Sequence, residues 1–145
     1  MDFFSAMEIA ASGLTAQRTR MNAVASNLAN ARTTETPEGG PYRRIDPVFR
    51  AEPVSTRFES FVGDPVAEQV YVVTVPEIRQ DETPPQTIYD PSHPDADENG
   101  LLQVPNVSVV QEMVNMITAS RSYEAGISVM KSLSTMARSA LKIGA

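Results

Sequence analysis

The sequence predicts an α+β fold, mainly α, in which long N- and C-terminal helices pack as an antiparallel coiled-coil-like pair around a small β-rich, Pro-rich inserted segment. Three observations predict it. All 11 prolines lie between Pro37 and Pro105, while all 7 methionines lie outside that interval. Apolar residues recur at heptad spacing in both proline-free ends. Charge is segregated as well: 3 basic and 2 acidic residues give +1 over 1–32, 5 and 14 give −9 over 33–105, and 4 and 2 give +2 over 106–145. The expected division is therefore an N-terminal assembly helix in 1–33, an acidic insert in 34–105, and a C-terminal assembly helix in 106–145.

In the first helix Met7, Leu14, Met21 and Leu28 recur every seventh residue, with Ala10, Val24 and Ala31 between them and Gln17 as the polar exception. That spacing draws one narrow apolar stripe along a helix. Ser5 and Glu8 have the spacing of a capping box, and Phe4 and Ile9 that of a hydrophobic staple, so the helix is expected to start at Ser5. Continued to Arg32 it would be about 42 Å long.

The insert is weaker in pattern. Val70–Val75 is β-branched and aromatic and is the best strand candidate; Tyr42–Phe49, interrupted by Pro47, and Arg57–Val62 follow. Turn residues dominate from Asp81 to Asn99, which predicts a small sheet or hairpin pair with long loops. No repeat of solenoid period is present.

The last helix has the most regular pattern. Val109, Met113, Met116, Ser120, Tyr123, Ile127, Met130, Ser134, Ala137 and Leu141 follow alternating steps of four and three. Ser108 and Gln111 form a second capping box just after Pro105, and Gly144 supplies a stop. From Ser108 to Ile143 the helix would span about 54 Å, with Gly126 weakening it by roughly 1 kcal/mol relative to Ala.

Several classes of chemistry are excluded or disfavoured. Without cysteine there is no disulfide, thiol nucleophile or thiolate-held metal. A net charge of −6 argues against a nucleic-acid partner. No apolar run reaches the roughly 20 residues needed to span a bilayer, so no membrane insertion is expected, and the acidic start does not read as a secretory signal. Asp95-Ala96-Asp97-Glu98-Asn99-Gly100 matches the opening of an EF-hand calcium loop, but the twelfth position is Asn106, and Pro91 and Pro94 exclude an entering helix. His93 is the only histidine and lacks a second one for a metal site. No phosphate cradle or nucleophile elbow is present. The expectation is a non-enzyme with no cofactor and no small-molecule substrate.

Each apolar stripe is narrow, interrupted by Gln17, Ser120 and Ser134, and flanked by many alanines. Two such helices closing on each other bury little, and isolated helices are marginal without tertiary packing. Neighbouring subunits are therefore expected along these seams. The expected assembly interface is Met7, Leu14, Met21, Val24 and Leu28 of the first helix, with Val109, Met113, Met116, Tyr123, Ile127, Met130, Ala137 and Leu141 of the second. A reading from another class is a calcium-dependent binding module whose helices form a dimerisation stalk.

Ser12-Gly13-Leu14-Thr15-Ala16-Gln17-Arg18, Met21-Asn22 and Ser26-Asn27-Leu28-Ala29-Asn30-Ala31 resemble the N-terminal motif of bacterial flagellar axial proteins of the rod and hook group. Glu112-Met113-Val114-Asn115-Met116-Ile117 and Ser120-Arg121-Ser122-Tyr123-Glu124 resemble their C-terminal motif. Thr36–Arg44 and Tyr89–Asp97 are similar to the proximal-rod members. Two positions depart: many relatives carry Gln where Ser120 stands, and Asn is expected at Gly126. The resemblance implies a structural rod subunit in the periplasm, exported unfolded by the flagellar type III apparatus without a cleaved signal. Its implied partners are copies of itself and other rod proteins, and its implied role is torque transmission.

Overall fold

A computed structural model describes residues 3–53 and 70–143, in the order α1 (Phe3–Ala29), β1 (Ile45–Pro53), β2 (Tyr71–Gln80), β3 (Gln86–Tyr89), β4 (Leu101–Val104) and α2 (Val109–Ile143). The candidate strand Arg57–Val62 lies outside the described residues. Two compact units form, each drawing on both helices. One takes α1 up to Thr19, the strand residues 49–53 and 71–76, and α2 from Ser120. The other takes α1 from Arg20, residues 30–48, and 77–119.

The helices pack antiparallel. In the first unit Leu14 lies against Gly126; in the second Asn27 meets Glu112. The facing stripe is made of small side chains: Ala16, Ala23 and Val24 of α1 are buried, and so is Ala119 of α2. Gly126, which costs helix propensity, has its reason here. A Cβ built on it would stand 2.8 Å from Leu14 Cδ2 and 3.3 Å from its Cγ, so the glycine admits a leucine side chain against the helix backbone.

The start of α1 differs from expectation. The helix already includes Phe3, so Ser5 and Glu8 lie within it and Ser5 is not its cap. Phe4 is 78% exposed and staples nothing; its ring instead meets that of Phe3 edge to face at 5.7 Å. The helix also ends at Ala29, short of Arg32, in a turn where Asn30 N–H donates to the Ser26 carbonyl and Thr33 N–H to that of Asn30. The second cap forms by half. Ser108 Oγ accepts from the Gln111 amide at 3.4 Å, while the Gln111 side chain turns to Asn115 and not back to the cap.

Two antiparallel ladders make up the β structure, β1 with β2 and β3 with β4. The candidate at Val70–Val75 became β2 and runs on through Pro76 to Gln80. Pro47 sits inside β1, which a strand with a free edge tolerates. In the first unit Ser12 Oγ of α1 accepts from the Val73 amide at 3.2 Å and donates to the Ile9 carbonyl, fastening β2 to the helix. The four-residue β3 falls in a segment read as turns: its pairing from Gln86↔Val104 to Tyr89↔Leu101 is non-local and leaves no periodicity in so short a run. Gly100 closes that hairpin at φ 75°, with room for a Cβ only 3.0 Å from Pro91 and Tyr89.

Gly126→Ala should be nearly neutral, within about 1 kcal/mol: the propensity gained offsets a small displacement of the Leu14 side-chain tip. Gly126→Ile should destabilise by roughly 1–3 kcal/mol through overpacking. Thermal melts of the two variants distinguish these outcomes. A pH dependence is also expected. Hydrogen bonds from the Thr83 side chain and amide hold Asp81 below the ordinary carboxylate value, and those from Ser92 do the same for Asp90. A depressed folded value means that these turns contribute stability above the ordinary unfolded value and lose it as pH falls through the depressed one. Carboxyl-carbon NMR titration should show both low values, with Thr83→Ala raising that of Asp81 part of the way, since the amide at 83 still donates, and leaving Asp90 unchanged.

Candidate functional site

The most constrained group of side chains is a polar cluster inside the second unit. Asn27 is 0% exposed and Glu112 1% exposed, an amide and a carboxylate buried where apolar residues would be expected. The last turns of α1 position Asn27, and the first turn of α2 positions Glu112, whose amide donates to the Ser108 carbonyl of the cap at 2.9 Å. The chain leaving the loop before β1 supplies the remaining groups, Tyr42, Arg44 and Ile45.

Asn27 uses its whole hydrogen-bonding capacity. Its Nδ2 donates to the Ile45 carbonyl at 2.9 Å and to Glu112 Oε2 at 3.0 Å. Its Oδ1 accepts from the Ile45 amide at 2.9 Å and from Tyr42 OH at 3.0 Å. Two donors and two lone pairs are all an Asn side chain has. Both backbone groups of Ile45 are thus paired with a helix side chain at the start of β1. Since the Tyr42 hydroxyl proton goes to Asn27, Ser26 Oγ donates to the Tyr42 oxygen, at 3.2 Å.

Glu112 is equally well served. Its Oε1 accepts from Arg44 Nε at 2.9 Å and from Asn115 Nδ2 at 3.2 Å. Arg44 also bridges to Asp46 at 3.3 Å, and its carbonyl accepts from the Asp81 amide at 2.7 Å. Burial alone would lower the Arg44 pKa; the hydrogen bond and charge of Glu112, helped by Asp46, outweigh it and hold the guanidinium above its ordinary value. A buried carboxylate with three donors, one of them a cation, satisfies the condition under which a charge can stay in an interior.

Gly39 and Gly40, at φ 91° and 74°, shape the preceding loop. Thr36 N–H donates to the Gly40 carbonyl and Gly39 N–H to that of Thr36, both at 2.9 Å, while Tyr42 N–H returns to the Thr33 carbonyl at 3.0 Å. The turn over Thr36–Gly40 brings the chain back past α1, so that Tyr42 and Arg44 reach the helices.

The expected interface residues distribute unevenly. Val24 is buried, and Met7, Leu14, Met21, Leu28, Met116, Tyr123, Ile127, Met130 and Ala137 are half-buried, whereas Val109, Met113 and Leu141 are exposed. The deepest positions of α2 are Glu112 and Ala119, each one residue before a position of the expected seam. Along α2 the expected seam is half-buried from Met116 to Ala137, and only at its start is the inward position Glu112 in place of Val109 or Met113, because its partners hold the carboxylate inside. None of Asn27, Tyr42, Arg44 and Glu112 was singled out as a site residue, although all four fall within the motifs that carry the resemblance.

The residues of the EF-hand-like segment turn to different partners. Asp95 Oδ2 accepts from Thr34 Oγ1 at 2.6 Å, and Asp97 Oδ1 accepts from the Asn99 and Leu101 amides at 2.9 and 2.8 Å. His93 Nδ1 accepts from the Asp95 amide at 3.2 Å. Among the described residues no three His, Asp or Glu side chains are gathered as a metal site, and no described helix is long and apolar enough to cross a membrane.

Comparison with known proteins matches residues 7–35 to a family described as flagella basal body rod protein. Residues 98–143 match one described as flagellar basal body rod FlgEFG protein C-terminal. Over 99% of its length the chain is 42% identical to a flagellar basal-body rod protein FlgC of Borreliella burgdorferi, covering 98% of that protein. It is 49% identical over 88% of its length to FlgC of Aquifex aeolicus, covering 86% of that chain. With FlgC of Salmonella typhimurium the identity is 37%, over 99% of both chains.

Asn27→Ala should destabilise the second unit by at least about 3 kcal/mol, since it strips partners from Ile45 N–H, Ile45 C=O and Glu112 together. Denaturant unfolding measures the loss. Amide hydrogen exchange at Ile45 should accelerate beyond the rise seen at Val129 on the exposed face of α2.

Proposed function

The chain belongs to the FlgC family of flagellar basal-body rod proteins, and from that premise we propose that it is a structural subunit of the proximal rod. It self-assembles and co-assembles with other rod proteins through its terminal helices into a hollow drive shaft that transmits torque for motility. The observation that carries this reading is a stripe on α2. Val110, Met113, Val114 and Ile117 are 73%, 54%, 52% and 54% exposed. They stand at i, i+3, i+4 and i+7, the spacing of one continuous helix face. That face lies opposite Glu112 and Ala119, which turn inward. Four bulky apolar side chains exposed in one row mark a surface that is covered by another protein.

The small inward core supports the same reading. Among the described residues the buried apolar side chains other than proline are Ala16, Ala23, Val24, Leu102 and Ala119, only two of them larger than alanine, with Pro47 and Pro105 buried beside them. A chain with so little interior gains further stability from neighbours. The inward-turned residues of the expected interface, from Met7 to Leu28 and from Met116 to Ala137, then set the shape of the helix pair. Val109, Met113 and Leu141 belong to its outward, intermolecular side. Torque passes through packed side chains, so the role requires no catalytic group. The same proposal places the subunit in the periplasmic part of the basal body, delivered by the flagellar type III export apparatus without a cleaved signal.

Ile117→Asp and Met113→Asp test the reading. Both positions are exposed in the subunit, so helical content by circular dichroism should be unchanged. An unpaired charge buried at a subunit contact costs several kcal/mol, so incorporation into isolated basal bodies should fall to about a tenth or less, and swimming with it. Wild-type incorporation of both variants would refute an interface at this stripe.

A further inference from the structure

Heptad patterning leaves the mutual register of two helices under-determined. A slip of one heptad is a shift of about 10 Å along the axis, and in the second unit it returns similar side chains to the facing positions Met116 and Ala119 of α2. Tyr123 takes the place of Met116, and Gly126 that of Ala119. Within this unit the apolar contacts alone discriminate poorly between such arrangements. The polar cluster discriminates sharply. After a slip Ala119 stands where Glu112 stood, and Asn27 loses its carboxylate partner while Glu112 loses both Asn27 and Arg44.

We propose that the buried Asn27–Glu112–Arg44 network is the register-selecting device of this helix pair, retained for the arrangement it specifies and not for the stability it adds. Three physical observations support the assignment. Glu112 and Asn27 are the largest side chains with essentially no exposure, in a stripe where the other buried side chains are Ala16, Ala23, Val24 and Ala119. Asn27 is saturated with partners, so every displacement removes bonds and none replaces them. A buried ion pair exchanged for apolar groups of similar size is often neutral or stabilising, whereas a single buried polar group in a heptad seam is known to set register. The network also ties register to the β segment, because Arg44 and Ile45 belong to the chain entering β1. The contact of Leu14 with Gly126 is a separate steric notch in the other unit, and the test leaves it untouched. The proposal stands apart from the assembly reading, since it concerns contacts within one chain.

The test uses the full chain, which has no native cysteine to interfere with labelling. Spin labels on cysteines introduced at the exposed positions Asn22 and Thr118 report the spacing of the helices by pulsed electron resonance. The otherwise native chain should show a single narrow distance. Combining Asn27→Leu, Arg44→Met and Glu112→Leu should preserve helical content, at a lowered melting temperature because the Ile45 amide and carbonyl lose Asn27, and should split the distribution. A second population, longer by what a slip of about 10 Å along the axis produces, should appear. Glu112→Gln alone, which keeps the size and an acceptor oxygen, should return the single distance. A folded triple variant with only the native distance would overturn the proposal and assign register to the Leu14–Gly126 notch and the strands. Loss of helical content in the triple variant would also overturn it, since the network would then be required for folding itself. So would a broad distribution in the otherwise native chain, which would mean that no register is selected.

Discussion

A carboxylate taken out of water must be surrounded by donors, and at Glu112 that requirement organises the second unit. Asn27 comes from α1, Asn115 from α2 itself, and Arg44 from the chain entering β1. Three segments distant in sequence are held at one point because each supplies a donor that the others cannot. Removing any one leaves a buried group unpaired, which is why such networks are all-or-nothing. The loop over Thr36–Gly40, with two residues in left-handed backbone, has its conformation explained by the same requirement: it must return Tyr42 and Arg44 to the helices.

The first unit is held by different means. Its helix contact depends on shape, a leucine entering the space left by an absent Cβ at Gly126, and the hydroxyl of Ser12 bonds its strand to the helix. Steric fit is local and polar satisfaction is directional. One chain therefore uses a notch in one unit and a network in the other. Both need small residues along the facing stripe, and the alanines there supply them at no loss of helix propensity.

These choices decide what the outside looks like. Drawing Glu112 and Ala119 inward turns Val110, Met113, Val114 and Ile117 outward. For a monomeric enzyme such a stripe would be a liability. For a member of a rod-protein family it is a surface of the kind an assembled particle needs. The described loop carboxylates fit the same economy: those of Asp90 and Asp97 each close a turn, and that of Asp95 accepts from the Thr34 hydroxyl.

Much of this was legible in the chain itself, where the signal was periodic or local. Two helices, the Ser108 cap, the strand at Val70–Val75 and the family motifs all follow from spacing and residue type, because helix and strand periods and caps are properties of neighbouring residues. The family resemblance alone pointed to the rod. What the sequence could not indicate was that Glu112 turns inward, why Gly126 stands in a long helix, or that β3 pairs with β4. Each of these depends on a partner many residues away: Asn27 and Arg44 for Glu112, Leu14 for Gly126, Leu101–Val104 for Gln86–Tyr89. Hydrophobic period is a property of one helix, whereas the burial of a charge is decided by donors that only tertiary structure brings within 3 Å.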